Sequence, residues 1–497
     1  MPNRVSLALD CGSHAIRVLG FQEGCNEPID LGSRDIRTHY PQPGFVEVDA
    51  ELIATDAIEL LSGAIGNLTT RGLEPHCLGI TNMRETAVAW RRDSGETVHR
   101  AIHWMSMQSQ PQVDRWAVDG TGERIRLITG LSNHAFFFGS KIRWLLETSE
   151  EARRHLATRN LQVGTLESWL LYKLGANHPH LTDLSNGSRY QMLDLRTLKW
   201  DVDLVETVGL TPEALPEIHP THGAFGVTNP DLIGAEVPIT GLIADQQASL
   251  YGHGAHQPGS VKATFGTSGV VCLNLGDEIR FENGLVTSIA WSGSTAGQVL
   301  YEIEASAFHS GSTINWLAEH LSDVNPWKDQ MELSLAPASR RPYVIPAFSQ
   351  LGAPRWPRRT GGAIVGLQLD STNIDIIRAG FESMAFQTHD TLQFLGSAPE
   401  VISVDGGGAI SDYMCQTLAN LTASQVSRPS SPEMTSLGTA QMAVRGRGED
   451  EDTWFRPDAT PRTLFEPEDD GGYAQEGFAH WSALVERLLS DDPEANR

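Results

Sequence analysis

The stretch Val5-Ser-Leu-Ala-Leu-Asp10-Cys-Gly12-Ser13-His14-Ala-Ile-Arg17 is an apolar strand pattern running into a small polar turn. About 250 residues later, Val261-Lys-Ala-Thr-Phe-Gly266-Thr267-Ser268-Gly269-Val270 repeats the design. Turns of this kind bring main-chain N–H groups onto phosphate oxygens. One such turn is a weak signal. Two, one in each half of the chain, predict a duplicated architecture that grips a polyphosphate between its halves.

Working outward, Arg17–Phe21 reads as the return strand of a hairpin, and Ala50–Asn67 as a helix ending near Gly66. Strands at 76–81 and 86–90 flank Asn82-Met83-Arg84-Glu85. Helices are predicted over 138–148, 150–158 and 166–174. An apolar strand at 239–243 leads into Ala244-Asp245-Gln246-Gln247, which opens a helix running to Tyr251. The Gly-, His- and Pro-rich 252–259 segment suggests a boundary, giving lobes 1–251 and 252–497. The second half restarts with strands at 261–265 and 270–275, then helices at 306–321 and 374–395. A strand at 401–404 runs into Gly406-Gly407-Gly408. Helices follow at 411–421, 437–445 and 478–489, and the acidic runs 449–452 and 466–470 read as solvated loops. Strands followed by helices, twice, indicate an α/β fold of two lobes. Ligands of such folds sit at the carboxyl ends of strands, in the crevice between lobes.

The chain of 497 residues exceeds what one core usually supports. Sixty-two acidic against 37 basic residues leave a net charge of −25, which speaks against nucleic-acid or anionic-membrane partners. The five cysteines are scattered without a CxxC pair, which reads as reduced, cytoplasmic and free of thiolate metal sites. No apolar run reaches the roughly 18 residues of a membrane span, and no signal peptide is legible.

Phosphoryl transfer needs a phosphate cradle, carboxylate-held metal and a base beside the acceptor hydroxyl. Asp10, ending its strand, suits Mg²⁺ held through water, or equally an Asx turn. Asp245 suits a base, or a plain N-cap. Gly406–Gly408 suits a nucleotide contact, or a tight turn. Arg84-Glu85 suits charge-assisted hydrogen bonds to a polyol, or a surface ion pair. Trp104 suits an apolar wall, or ordinary core.

Between residues 5 and 446 the chain resembles the FGGY carbohydrate kinases, and within them the glycerol kinases. Pro43-Gly-Phe-Val-Glu47, Gly79-Ile-Thr-Asn-Met-Arg84-Glu85-Thr86, Thr182-Asp183-Leu-Ser-Asn186-Gly-Ser188-Arg189, Ala244-Asp245-Gln246-Gln247-Ala248, Pro346–Pro354, Gly362–Leu367, Arg378–Ser383 and Val404–Gly407 carry the likeness. The resemblance implies a two-lobed actin/hexokinase-like (ribonuclease H-like) fold, with a mixed sheet flanked by helices in each lobe. The first lobe would bind the acceptor and the second the nucleotide. It implies ATP-dependent phosphorylation of a small polyol, foremost glycerol to glycerol 3-phosphate, with Asp245 as general base and Asp10 positioning Mg²⁺. Ser13, His14, Arg17, Thr267, Gly311, Asn315, Gly407 and Ser411 would lie at the nucleotide. Arg84, Glu85, Trp104, Phe136, Asp245 and Gln246 would bind the acceptor. A homodimer or a homotetramer is implied, and the sequence does not choose between them.

The departures from the family pattern cluster at both ligand sites. The first phosphate turn is Ser13-His14-Ala15-Ile16 where relatives carry a run of hydroxyls. Each hydrogen bond lost to a charged group costs about 1.5–3 kcal/mol. Phe136 stands for a tyrosine, Gln108 for an arginine, Met83 for a glutamine and Ser411 for an asparagine. The 230–238 loop, used in some relatives for regulation by fructose bisphosphate, is short and not basic. These changes leave three readings open: a glycerol kinase; a kinase for another polyol or ketose of the erythritol, xylulose or ribulose type; or a weakly active relative that senses sugar or nucleotide.

Overall fold

The computed structural model describes residues 3–293, 295, 297–321, 325–327, 341–348, 351–355, 361–456, 460–470 and 472–490. Ser349 and Gln350, within the Pro346–Pro354 segment, lie outside the described residues.

Two large sheets repeat one plan. In the first, Arg4–Cys11 pairs antiparallel with Ala15–Gln22 around the Gly12 turn, and parallel with Glu74–Asn82 on its other side. Pro28–Asp35 closes one edge, and Pro238–Leu242 and His222–Val227 complete the other. In the second, Val261–Phe265 pairs antiparallel with Gly269–Gly276 around the Gly266 turn, and parallel with Val401–Asp405. Val299–Ala307 and Val286–Ser292 close one side, and Gln425–Pro429 and Arg462–Phe465 the other. Each sheet is therefore mixed, a glycine hairpin beside parallel crossovers, as the two-lobed α/β reading predicted. Central strands are buried on both faces, which is why Val5-Ser-Leu-Ala-Leu reads as a continuous apolar run. Leu7, Leu9, Ile80, Leu61 and Trp169 fill the first core. Val261, Phe265, Ile402, Phe381 and Leu418 fill the second.

Each half contributes a helix to the other half's sheet. The helix Asp245–Gly252 reaches the second sheet: Ser249 Oγ donates to Asp405 Oδ2 at 2.5 Å, and His253 Nε2 lies 3.0 Å from the same oxygen. The helix Met434–Gly446 lies on the first sheet, where Ser6 Oγ donates to the Ala440 carbonyl at 3.0 Å and Thr240 Oγ1 to that of Ala443 at 2.7 Å. These two helices cross backbone to backbone. A Cβ on Gly438 would overlap the Ala248 carbonyl oxygen, and one on Gly252 that of Met434.

A smaller sheet of five short strands includes Glu47–Val48, Ala101–Ile102, Ala87–Arg91 and Leu161–Thr165. It packs on a third core containing Phe137, Phe138, Ile142 and Val163, and carries the segments around Arg84 and Trp104.

Three sequence expectations are corrected. The first helix runs Ala50–Thr70, past Gly66, because its buried stripe continues through Ala64, Ile65 and Leu68 while Gly66 sits on the exposed face. Ser306 and Ala307 are strand, paired with Val270 and Gly269, and the helix begins only at Gly311. The 449–452 acidic run is not a solvated loop. Glu449 accepts from Trp454 Nε1 at 2.8 Å and pairs with Arg4, while Glu451 accepts from the Tyr251 hydroxyl at 2.8 Å and opens a short helix.

Candidate active site

Arg84 and Glu85 occupy the turn between the strands Glu74–Asn82 and Ala87–Arg91. They are buried at 5% and 1% exposure, so they are not a surface ion pair. Glu85 has a positive φ of 60°, uncommon for a residue with a Cβ. The Thr86 N–H donates to the Arg84 carbonyl at 2.8 Å, closing a three-residue turn around it. Arg84 reaches across the chain. Its two terminal nitrogens hold Glu304 at 2.6 and 3.1 Å, and its Nε lies 3.3 Å from Asp245 Oδ1. A planar guanidinium suits this bidentate grip. Arg189 adds a second cation, bonded to Glu85 at 2.5 Å and 3.6 Å from Glu304.

Asp245 is the first residue of its helix, and Ala244 is the N-cap. The carboxylate therefore does not cap; it accepts from the Gln246 N–H at 2.7 Å and faces Arg84. Ala244 is anchored in turn, its N–H donating to Ser185 Oγ at 2.9 Å, and Ser185 donates to Asp183. The Thr182–Arg189 segment thus fixes both Asp245 and Glu85. A quarter of the Asp245 side chain remains open to solvent. Burial nonetheless pushes it up to about 6, against the pull of Arg84 and with help from the Glu85 and Asp10 charges. Gln246 Oε1 accepts from Lys262 Nζ at 2.8 Å, joining the site to the second sheet. Lys262, Cys272 and Glu304 form one cross-strand row there, with Glu302 one pleat away. Burial opposes ionisation of Glu304, but Arg84 and Arg189 outweigh it and hold the group low. Glu302 is pushed up by burial and then by Glu304.

Asp10 is buried, with one carboxylate oxygen accepting from Ser436 at 3.2 Å and lying 3.5 Å from Arg17. Burial raises it and Arg17 opposes the rise. Arg17 also pairs with Glu433 at 3.0 Å. In the first turn His14 is exposed and Ser13 half-buried. The Trp104 indole N–H donates to Ser13 Oγ at 2.9 Å, which leaves the hydroxyl proton of Ser13 free to donate elsewhere. Trp104 meets Phe136 edge to face at 5.4 Å. Gln108 is buried and accepts from Ser106 Oγ at 2.8 Å, and Met83 is core.

Three segments converge at the second turn. The Gly311 N–H donates to the Gly266 carbonyl at 2.9 Å, and the Ser310 and Ser312 N–H groups to that of Thr267 at 3.2 Å each. Gly406, at φ 83°, packs so closely that a Cβ would lie 2.6 Å from the Phe265 carbonyl oxygen. Thr267 and Gly407 are exposed on this platform. Asn315, one turn beyond Gly311, is also exposed and accepts from Trp327 Nε1 at 3.1 Å. Ser411 is buried, and its hydroxyl caps the helix Asp412–Thr422 by accepting from the Met414 N–H at 3.2 Å. The exposed Thr267 hydroxyl and the glycines without Cβ fit the phosphates and sugar of a nucleotide. Asp10, an oxygen donor beside the other turn, fits a hard divalent cation.

The family model for the N-terminal domain of the FGGY family of carbohydrate kinases matches residues 5–252, and that for the C-terminal domain matches residues 261–446. The chain belongs to this family. Membership makes the protein a kinase, a phosphotransferase acting on an alcohol group. Among curated relatives, the glycerol kinase of Carboxydothermus hydrogenoformans is 36% identical over 450 residues, 89% of each chain. That of Halorhodospira halophila is 33% identical over 503 residues, 100% of this chain and 99% of its own. Among solved structures, Plasmodium falciparum glycerol kinase with ADP superposes with a TM-score of 0.89 at 25% identity, covering 98% of this chain and 99% of its own. A xylulose kinase from Lactobacillus acidophilus shares the fold with a TM-score of 0.86 at 19% identity, covering 98% and 99%. The two-lobed actin/hexokinase-like architecture expected from the sequence is therefore the observed one. Among the described residues, no helix is long and apolar enough to cross a membrane.

Sequence reasoning gave no role to Arg189, Glu304, Lys262 or Ser185. Arg189 and Ser185 lie inside a segment that carried the family likeness. Glu304 had no local signal, because the residue that explains it, Arg84, is 220 positions away.

Proposed function

We propose that this FGGY kinase transfers the γ-phosphoryl group of ATP to glycerol, yielding glycerol 3-phosphate, with Asp245 as the general base. The glycerol kinases among its relatives suggest the acceptor. The observation that carries the reading is the cluster around Arg84, where Asp245, Glu85, Glu304 and Gln247 surround one buried guanidinium while Asp10 is close enough for its charge to act on Asp245.

In this reading Arg84 and Glu85 hold the acceptor's hydroxyls, Trp104 and Phe136 pack on its carbons, and Asp245 takes the proton of the attacking oxygen. A carboxylate that ionises near 6 is charged at neutral pH and basic enough to accept that proton late in the step. Ser13, Arg17, Thr267, Gly311, Asn315 and Gly407 line the nucleotide, and the Ser13 hydroxyl, already accepting from Trp104, donates to a phosphate oxygen. His14 stands at the rim of the first turn, and Ser411 supports the adenosine side through its helix. Asp10 would hold a Mg²⁺ ion through water, and the ion would neutralise charge on the phosphates. The lobes divide at residues 251 and 252 and close over both substrates, excluding water so that ATP is not hydrolysed.

Coupled ADP release with Mg-ATP tests this against glycerol, dihydroxyacetone, erythritol, ribitol, xylulose and ribulose. Glycerol should support the highest kcat/KM, and Asp245→Asn should lower it by about 10²–10⁴-fold while ADP still binds. Faster turnover on a ketose would reassign the acceptor. Full turnover by Asp245→Asn would remove the base.

A further inference from the structure

Lys141, on the helix Phe138–Thr148, is fully buried, yet among the described residues no carboxylate bonds its ammonium group. Its Nζ donates to two main-chain carbonyls, that of Glu85 at 3.0 Å and that of Phe136. Burying an ammonium against neutral partners opposes folding, and a methionine of similar length would pack as well. What distinguishes Lys141 is the pair of residues it joins. Glu85 presents the acceptor-side carboxylate from a turn at φ 60°, and Phe136 presents the apolar wall with Trp104. A tight turn of this kind persists only when its surroundings hold it.

We propose that Lys141 is a positioning residue of the acceptor site: by clamping the Glu85 and Phe136 carbonyls to one ammonium group it fixes the carboxylate and the apolar wall at the separation that binds a small polyol. The proposal rests on the kinase reading above. It concerns a residue that touches neither substrate. Burial draws Lys141 down to about 7, opposed by the Glu85 charge. The groups facing it are Glu85 from the turn, His103 from the segment after Ala101–Ile102, and His134 from the segment before its own helix. Both imidazoles are pushed down, by burial first and then by Lys141, to about 3 and about 4, so they stay neutral while Lys141 titrates. Beyond Glu85 stand the guanidiniums of Arg189 and Arg84. A neutral amine is a weaker donor than an ammonium. The clamp therefore loosens as pH rises through neutrality.

Steady-state kinetics on the full chain test this, with glycerol and Mg-ATP varied separately and ADP affinity measured by calorimetry. Lys141→Met removes both bonds of the clamp and should raise the KM for glycerol roughly 10- to 100-fold, the worth of about one charge-assisted hydrogen bond at the acceptor, with the KM for Mg-ATP and the ADP affinity near wild type. The wild-type KM for glycerol should climb between about pH 6 and 9, whereas Lys141→Arg, which stays charged, should show no such climb. An unchanged KM for glycerol in Lys141→Met overturns the proposal. If Lys141→Met loses ADP binding and so does not fold, identical pH profiles for wild type and Lys141→Arg overturn it instead. A wild-type enzyme that releases no ADP with any polyol sinks the kinase reading, and this proposal with it.

Discussion

At the residue scale, the site is built on one guanidinium. Arg84 keeps Glu304 ionised in a buried place and steadies Asp245, while Glu85 and Asp10 work against the ionisation of Asp245. The balance predicts an acid limb. Asp245 is raised to about 6, so it is protonated and inactive as a base below that pH and ionised above it. Log kcat/KM for glycerol should therefore rise with unit slope up to about pH 6, and fall again above neutrality as Lys141 loses its charge and the KM climbs. Glu85→Gln removes a like charge and should move the limb to lower pH, whatever it does to affinity. A limb that stays in place in that variant would mean another group sets it. Much of this site was legible from single residues: Asp10, Arg84, Glu85 and Asp245 stand at strand ends beside glycine-rich or polar turns. Ser411 is buried and its hydroxyl accepts from the Met414 N–H of its own helix.

At the element scale, the helices Asp245–Gly252 and Met434–Gly446 matter most, because they join the lobes. Their contact admits no side chain at Gly438 or Gly252. Gly-to-Ala exchange inside a helix normally stabilises by about 0.5–1 kcal/mol. Gly66→Ala, on the exposed face of the first helix with nothing near its Cβ, should follow that rule. Gly438→Ala should reverse the sign and destabilise by about 1–3 kcal/mol, since the added methyl must displace backbone. Chemical denaturation of the two variants reads both. Equal, positive shifts would mean that the helices do not press on each other in solution. The sequence predicted both helices within about three residues of their ends, but their swap between sheets had no signature in local periodicity.

At the scale of the whole molecule, two sheets of one plan hold a glycine turn each. If the lobes close over both ligands, small-angle scattering should show a smaller radius of gyration with glycerol and a non-hydrolysable ATP analogue together than with neither. The 252–259 boundary segment follows the helix that carries Asp245, and the closing motion would hinge there. An unchanged radius would count against closure, though not against the chemistry.

The sequence by itself determined the fold class, the duplication and the family, because apolar strand runs, glycine turns and short ordered motifs are local and survive as strings. It also pointed to Asp10, Glu85 and Asp245, though not to Glu304. Only the tertiary structure decided which cation meets which carboxylate, that Trp104 bonds Ser13, that Lys141 clamps two walls, and that each half covers the other's sheet. The Lys141–Glu85, Trp104–Ser13, Arg84–Glu304 and Ser6–Ala440 contacts join residues 56 to 434 positions apart. Their energies depend on burial and distance in space, which no local window of the chain encodes.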